Sequence, residues 1–351
     1  MAKKSGRNEE KLDYNAAVRE LKANGPARLY LLWGPEDYLC EQFLIQLKKL
    51  CLPGGEDDFS YKRLDGPALD ATRLREALDA MPFMSERSFV ELRNVDINKL
   101  SNGDECMKLL KDIPDYCTVV FIQSAEFEMD GRLKFVKALR SEAKELKFTS
   151  QPQGMLTGWI ARRFAAAGKR IELDAAQRLI FISGDLMNRL IPEIEKIAAY
   201  TKGEIVTVRD VDAVAHHIPE AEIFEMTELI SQKKYNSAMN VLAELLADKD
   251  NEPIAMTAML GFQMRRLYAA RLAIEEGLGS KYVTELYSIR YDFITSKLMT
   301  AARGFTMPQL IRAVELCGEA DYRMKSTGQN AQELLKETVA RIAAGESKCT
   351  A

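Results

Sequence analysis

The chain has 351 residues, a formal net charge of -3, 47% hydrophobic and 29% charged residues. Such proportions belong to an ordinary soluble globular protein, and the length predicts two or three domains with separate cores. The near-balance of charge gives no bulk signal for a nucleic-acid protein, and no apolar stretch approaches the ~20 residues that cross a bilayer.

The opening "MAKKSGRNEE" lacks an apolar core and reads as a polar tail, not a signal peptide. Strand and helix signals then alternate through residue 150. Strands are expected at Leu29–Trp33, Phe59–Leu64, Ser88–Leu92, Thr118–Gln123 and Leu146–Thr149. Helices are expected at Tyr38–Leu50, Ala71–Ala80, Glu105–Ile113 and Gly131–Ala143. "TVVFIQ" is a continuous β-branched and apolar run, as in a strand buried on both faces. Alternating βα units imply a mostly parallel, doubly wound sheet. The stretch "TSQPQG" (Thr149–Gly154) breaks the pattern, and strand signals nearly vanish beyond it. Helices follow at Met155–Ala167, Asp174–Ser183 and Leu186–Tyr200, with "EIVTVRDVDAV" closing a small bundle. Asp174 and Asp185 suit N-caps, and Gly168 and Gly203 suit C-caps. A second boundary falls at "HHIPEAE" (His216–Glu222). The remainder reads as helices at Ala221–Gln232, Tyr235–Ala247, Pro253–Glu276, Ser280–Tyr287, Tyr291–Ala302, Met307–Met324 and Asn330–Ala344. Three parts result: an α/β domain over 1–150, a small helical domain over 151–216 and a larger helical domain over 217–351.

The turn after the first strand, "GPEDYLCE", sits where an α/β sheet binds nucleotide phosphates. Gly34 is present, but no second glycine, lysine or hydroxyl follows as a G-x-x-x-x-G-K-[ST] loop requires. Pro35 removes a backbone donor, and Glu36 and Asp37 put negative charge where a polyphosphate would lie while serving the helix N-terminus. The strand "SFVEL" ends in "RNVD" without the paired acids that would hold Mg²⁺, and Glu91 lies inside it. Poor ATP binding is expected, and Gly34–Glu41 reads as a tight βα turn with an acid-capped helix. No metal or cofactor is expected either. The six cysteines are scattered with no C-x-x-C pair, and the only histidines are His216 and His217. Sparse cysteines suit a reducing, cytoplasmic setting. The adjacent histidines read as linker residues.

In "REALDAMPFMSER", Leu74, Ala77, Leu78 and Met81 recur at helical spacing and should pack on the sheet. Pro82 ends that periodicity. Phe83 and Met84 then form an adjacent apolar pair before polar "SER". By residue type alone such a pair belongs to a core; presented to solvent by a helix end or loop it would be a binding anchor. "GDLMNRLIPEIEKI" has a packing stripe of Leu186, Leu190, Ile194 and Ile197, with Glu193, Glu195 and Lys196 on its outer face. "FQMRRLYAARLA" sets Arg265, Arg266 and Arg271 on a helix with Tyr268. They are candidates for DNA or subunit-interface contact, with interface or solvation favoured.

In order along residues 15–345, "LYLLWGPEDYL", "RLDG", "LDAMPFMSERSFVEL", "GDLMNRLIPEIEKIAAY", "AEIFEMTELI", "LGFQMRRLYAARL" and "ADYRMKSTGQNAQELLKETVARI" resemble the delta subunit of the bacterial DNA polymerase III clamp loader. The resemblance implies an AAA+-type chain: a RecA-like parallel-sheet domain without a working ATP site, a small helical lid and a C-terminal helical collar. It implies a non-enzymatic subunit that binds the ring-shaped β sliding clamp and helps open it for loading on primed DNA. Partners would be tau/gamma and delta-prime subunits in a hetero-pentamer, whose ATPases supply hydrolysis. The family's clamp-inserting apolar pair falls on Phe83 and Met84, flanked by Pro82 and Arg87. Gly34, Pro35, Glu36 and Asp37 become a relic of a phosphate loop, and Arg189 stands at the lid's nucleotide-sensing position. Delta-prime has a zinc-binding cysteine cluster and a Ser-Arg-Cys motif, both missing here. The competing readings are an assembly scaffold without clamp affinity, a degenerate P-loop NTPase, and a direct DNA binder.

Overall fold

The two most continuous apolar runs of the first 150 residues become interior strands. Leu29–Trp33 (β1) and Cys117–Ile122 (β4) are hydrogen-bonded in parallel, and every residue of β4 is buried. The computed structural model describes residues 14–55, 59–82, 85–100 and 102–345. They fall into two units, residues 1–150 with 186–188, and residues 151–185 with 189–351.

The first unit adds α1 (Tyr14–Asn24), α2 (Asp37–Cys51), β2 (Tyr61–Asp65), α3 (Ala71–Asp79), β3 (Ser88–Arg93), α4 (Gly103–Lys111), α5 (Lys134–Glu142) and β5 (Lys144–Lys147). The strand order is β2-β3-β4-β1-β5, with all pairings parallel. β1 is therefore interior but next to the edge. Strand alternation sorts the side chains between two faces. Leu29, Leu31, Val90, Leu92, Val119 and Phe121 join one cluster with Leu74, Leu78, Leu110 and Leu139 of α3, α4 and α5. Tyr30 and Phe148 meet Phe43 of α2 on the other face, with ring centroids 6.0 and 5.9 Å apart. Each fully buried side chain of this kind contributes about 1.5–3 kcal/mol of transfer free energy.

Asp70 caps α3 by accepting from the Thr72 amide at 2.9 Å, and Leu74, Ala77 and Leu78 form its buried stripe. Met81 does not complete that stripe. The helix stops at Asp79, Ala80 turns extended, and Met81 is 79% exposed. Pro82 excludes helical geometry from the preceding residue, which accounts for the early stop.

The second unit contains α6 (Gln153–Ala166), β6 (Arg170–Ile171), α7 (Leu173–Ser183), α8 (Met187–Tyr200), β7 (Ile205–Val206), α9 (Val208–Val214), α10 (Pro219–Ser231), α11 (Tyr235–Ala247), α12 (Pro253–Glu275), α13 (Gly279–Leu286), α14 (Asp292–Ala302), α15 (Met307–Ser326) and α16 (Ala331–Ala343). The first two residues of α8 group with the first unit. α12 is packed by α10, α13, α14, α15 and α16, so its buried positions run round most of its circumference. The connection between α9 and α10 is bonded down rather than free. Ser183 Oγ donates to the His216 carbonyl at 2.8 Å, the Ile218 amide to the Ile182 carbonyl at 2.7 Å, and the His216 amide to Glu193 at 2.9 Å. Arg178 of α7 joins Asp212 of α9 and Glu225 of α10, each at 2.6 Å.

Several local expectations change. The N-cap of α7 is Glu172, and Asp174 lies inside the helix, accepting from the Ala175 amide. Asp185 instead binds Arg290 and the Tyr291 hydroxyl. Gly168, with φ +73°, follows the C-cap of α6 as expected, but Gly203 lies beyond the end of α8 and its carbonyl accepts from Lys169. Glu193 is buried, not on an outer face, because its carboxylate serves the His216 amide and Lys196. Cys40, Cys51, Cys106, Cys117 and Cys317 are buried free thiols. Burial pushes Cys40 and Cys317 up to about 12 and Cys106 up to about 11.

Candidate functional site

The βα turn at the carboxyl end of β1 is closed by backbone. Gly34 has φ +124°, and a Cβ there would lie 2.1 Å from the Phe148 carbonyl oxygen. The Phe148 amide donates to the Trp33 carbonyl at 2.8 Å, and the Glu36 amide donates to the Phe148 carbonyl at 3.3 Å. The residue after β5 thus occupies one of the donors that a phosphate loop turns toward its ligand. Gly34 is required for this close approach, not for wrapping an anion. Glu36 occupies the N-cap position of α2, but its side chain does not cap that helix. The buried carboxylate instead accepts from the Met187 amide, with both oxygens at 3.2 Å. Burial, then the Glu41 and Glu126 charges, raise the Asp37 carboxyl above its ordinary value. The turn thus buries one acid, Glu36, and leaves the other, Asp37, half-exposed.

Glu91, the acid inside β3, is fully buried and committed to a network. Lys48 lies at 2.6 Å, the Tyr61 hydroxyl donates at 2.8 Å, and Arg93 donates as well. Arg93 also grips Glu41 bidentately at 2.6 and 2.9 Å. Burial alone would raise the Glu91 carboxyl; hydrogen bonds from Arg93 and Lys48 outweigh it and hold the group below the ordinary range. Among the described residues no three His, Cys, Asp or Glu side chains converge as a metal-holding group, and no helix is long and apolar enough to cross a membrane.

The other expected site lies at the amino end of the sheet. Phe83 and Met84 fall outside the described residues. Pro82 is half-buried and follows the exposed Met81. Arg87 is also half-buried: its Nε is enclosed, and its carbonyl accepts from Ser85 Oγ at 2.8 Å. Phe59, expected to open β2, lies two residues ahead of it and is 79% exposed. Its polar sequence context, "EDDFS", is a sequence sign of that exposure.

The three arginines of α12 have different fates. Arg265 and Arg266 stand over the Phe262 ring at 5.9 and 5.5 Å, and burial lowers the Arg266 pKa. Arg271 is paired with Glu275 at 2.8 Å. Arg189, His216 and His217 line a 740 Å³ cavity with Glu193, Glu222 and Glu244. Burial and the neighbouring charges of Glu244, Glu225 and Asp248 push Glu222 up to about 7.

Residues 30–149 match the family model described as DNA polymerase III, delta subunit, and residues 220–342 match that of the DNA polymerase III delta subunit, C-terminal domain. The DNA polymerase III subunit delta of Bacillus subtilis is 24% identical over 330 residues, covering 91% of this chain and 93% of that protein. An Aquifex aeolicus protein named "Probable DNA polymerase III subunit delta" is 23% identical over 324 residues, covering 88% and 89%. The solved structure of the Bacillus subtilis DNA clamp loader delta protein superposes with a TM-score of 0.52 at 21% identity, covering 95% of this chain and all of that one. That likeness supports the same fold, a RecA-like parallel sheet followed by helical domains.

Proposed function

The chain belongs to the DNA polymerase III delta-subunit family, and from that premise we propose that it is the clamp-binding subunit of a replicative clamp loader. In this reading it engages the β sliding clamp through the Pro82–Arg87 element, Phe83 and Met84 entering an apolar pocket. The observation that carries it is the 79% exposure of Met81 at the head of that element. A helix that ends early, leaving a large apolar side chain in water next in sequence to the Phe83–Met84 pair, supports reading this segment as a contact surface. Binding the strained open edge of the ring better than its closed interface would shift the ring toward opening, because a ligand moves an equilibrium only by its differential affinity.

The chain itself would not hydrolyse ATP. The Glu36 amide is used by Phe148, Glu36 and Asp37 offer charge of the wrong sign, and the phosphate-loop lysine is missing. ATPase partners of the tau/gamma type and a delta-prime subunit would complete a cytoplasmic hetero-pentamer around primed DNA. Residues 1–150 would carry the clamp site, 151–216 would serve as the lid, and 217–351 would supply the collar. Arg265 is exposed there and available for a subunit interface or DNA, whereas Arg266 is half-buried and Arg271 already has Glu275.

The test is binding of the full chain to its cognate sliding clamp, wild type against Phe83→Ala/Met84→Ala, with melting curves of both. A hot-spot pair of this size is worth about 2–4 kcal/mol, so the double variant should lose binding while keeping its melting temperature. Equal binding by both proteins would remove the anchor assignment. No binding by wild type would remove the clamp reading and favour the scaffold. ATP turnover by the isolated chain would overturn the non-catalytic assignment.

A further inference from the structure

The amino end of the first unit's sheet carries exposed apolar side chains outside the Pro82–Arg87 element. Among the described residues of that unit, the exposed large apolar side chains are Ile45, Leu50, Phe59 and Met81. Three of them lie at this end. Leu50 is in the last turn of α2, where the adjacent Cys51 sulfur stands 3.8 Å from Thr118 Oγ1 on β4, one residue from that strand's start. Phe59 immediately precedes Ser60, whose carbonyl accepts from the Phe89 amide at 2.9 Å, and Tyr61 then pairs with Phe89 at the head of β2 and β3. Met81 follows the end of α3, the helix that returns the chain from the far end of β2 toward the start of β3.

Phe59 is the least explained of the three by folding. The hydrophobic pairing at the head of β2 and β3 is made by the Tyr61 and Phe89 rings, 6.3 Å apart, without it. A phenyl ring left 79% exposed at the same end of the sheet as an equally exposed methionine is apolar surface that the fold of this unit does not use. That partner is not a second copy paired edge to edge through β2. Lys62 and Arg63 stand exposed on this edge strand, and charged edge residues disfavour such pairing.

We propose that Phe59 is a second apolar anchor of the clamp-binding surface, supplied by the turn at Phe59 and Ser60 that leads into β2. It would dock beside Met81 against the same protein ring that receives the Pro82–Arg87 element. This inference rests on that element being the clamp site. It extends the surface from one segment to two, joined by the hydrogen bond between Ser60 and Phe89.

The test uses the full chain with Phe59→Ser, Phe59→Leu and Phe83→Ala/Met84→Ala, each titrated onto the cognate clamp. Sedimentation and melting curves accompany the titrations. Phe59→Ser should weaken clamp binding about tenfold or more with no fall in melting temperature, and Phe59→Leu should recover most of the loss. Wild-type affinity in Phe59→Ser beside lost affinity in the double variant overturns this inference and leaves the clamp reading standing. Absence of clamp binding by wild type overturns both. A wild-type dimer that Phe59→Ser dissolves assigns the ring to self-association and overturns the inference as well.

Discussion

Gly34 shows how one residue type can serve two architectures. In a phosphate loop a glycine lets backbone amides approach an anion; here it lets the carbonyl of the residue after β5 approach the turn. Gly34→Ala would place a methyl 2.1 Å from the Phe148 oxygen at a φ of +124°, so both sterics and backbone oppose it. The variant should lose about 3 kcal/mol of stability, measurable as a lower urea midpoint. The missing lysine and second glycine were legible in the sequence because they are residue types. The closure by Phe148 was not, because a carbonyl 114 positions away in the chain leaves no sign in the residues of the turn. Glu36 went astray for a related reason. Its position before α2 predicts a cap, but the buried carboxylate finds the Met187 amide instead.

At the scale of elements, α2 and β3 are joined by the charges of Lys48, Glu41, Glu91 and Arg93. Removing the buried acid leaves Lys48 without its 2.6 Å partner, so Glu91→Gln should cost about 3 kcal/mol near neutral pH. The sign of its pH dependence follows from a folded-state pKa held below the ordinary value. Its stabilisation is present above the ordinary glutamate range and is lost as pH falls through the lower folded value. Urea melts across that acid range should show a shallower loss in the variant than in wild type. Elements with a clean period were read nearly to the residue: Leu29–Trp33 and Tyr235–Ala247 match their predicted limits. α1 was not anticipated, since its residues lie near a polar tail and only Ala17 and Leu21 are buried. The two-residue β6 and β7 were too short to carry a period. Met81 kept the helical spacing of Leu74, Ala77 and Leu78 in sequence, while Pro82 broke it in space. The exposed Phe59 stood in an apolar strand signal that began two residues early.

At the scale of the molecule, residues 151–185 and 189–351 form one unit, and the His216–Glu222 connection runs inside it. The hydrogen bonds of Ser183, His216 and Ile218 and the ion pairs of Arg178 account for that continuity. Within this unit Glu222 reports on the packing. Its folded pKa of about 7 lies above that of an unfolded glutamate, so the native state holds an extra proton between the two. Stability should therefore fall as pH rises from about 4.3 toward 7. Glu222→Gln should be more stable than wild type at pH 8 by about 1 kcal/mol, the full shift being discounted for partial solvation; thermal melts at pH 6 and 8 would show it. The five buried thiols have a further use. Four lie in the first unit and Cys317 in the second, each protonated and shielded while the fold is intact. A thiol-modifying reagent can attack them only when the surrounding structure opens, so modification rates become local clocks of breathing. Read by mass, Cys40 and Cys317 would time each half of the molecule separately, with no residue changed.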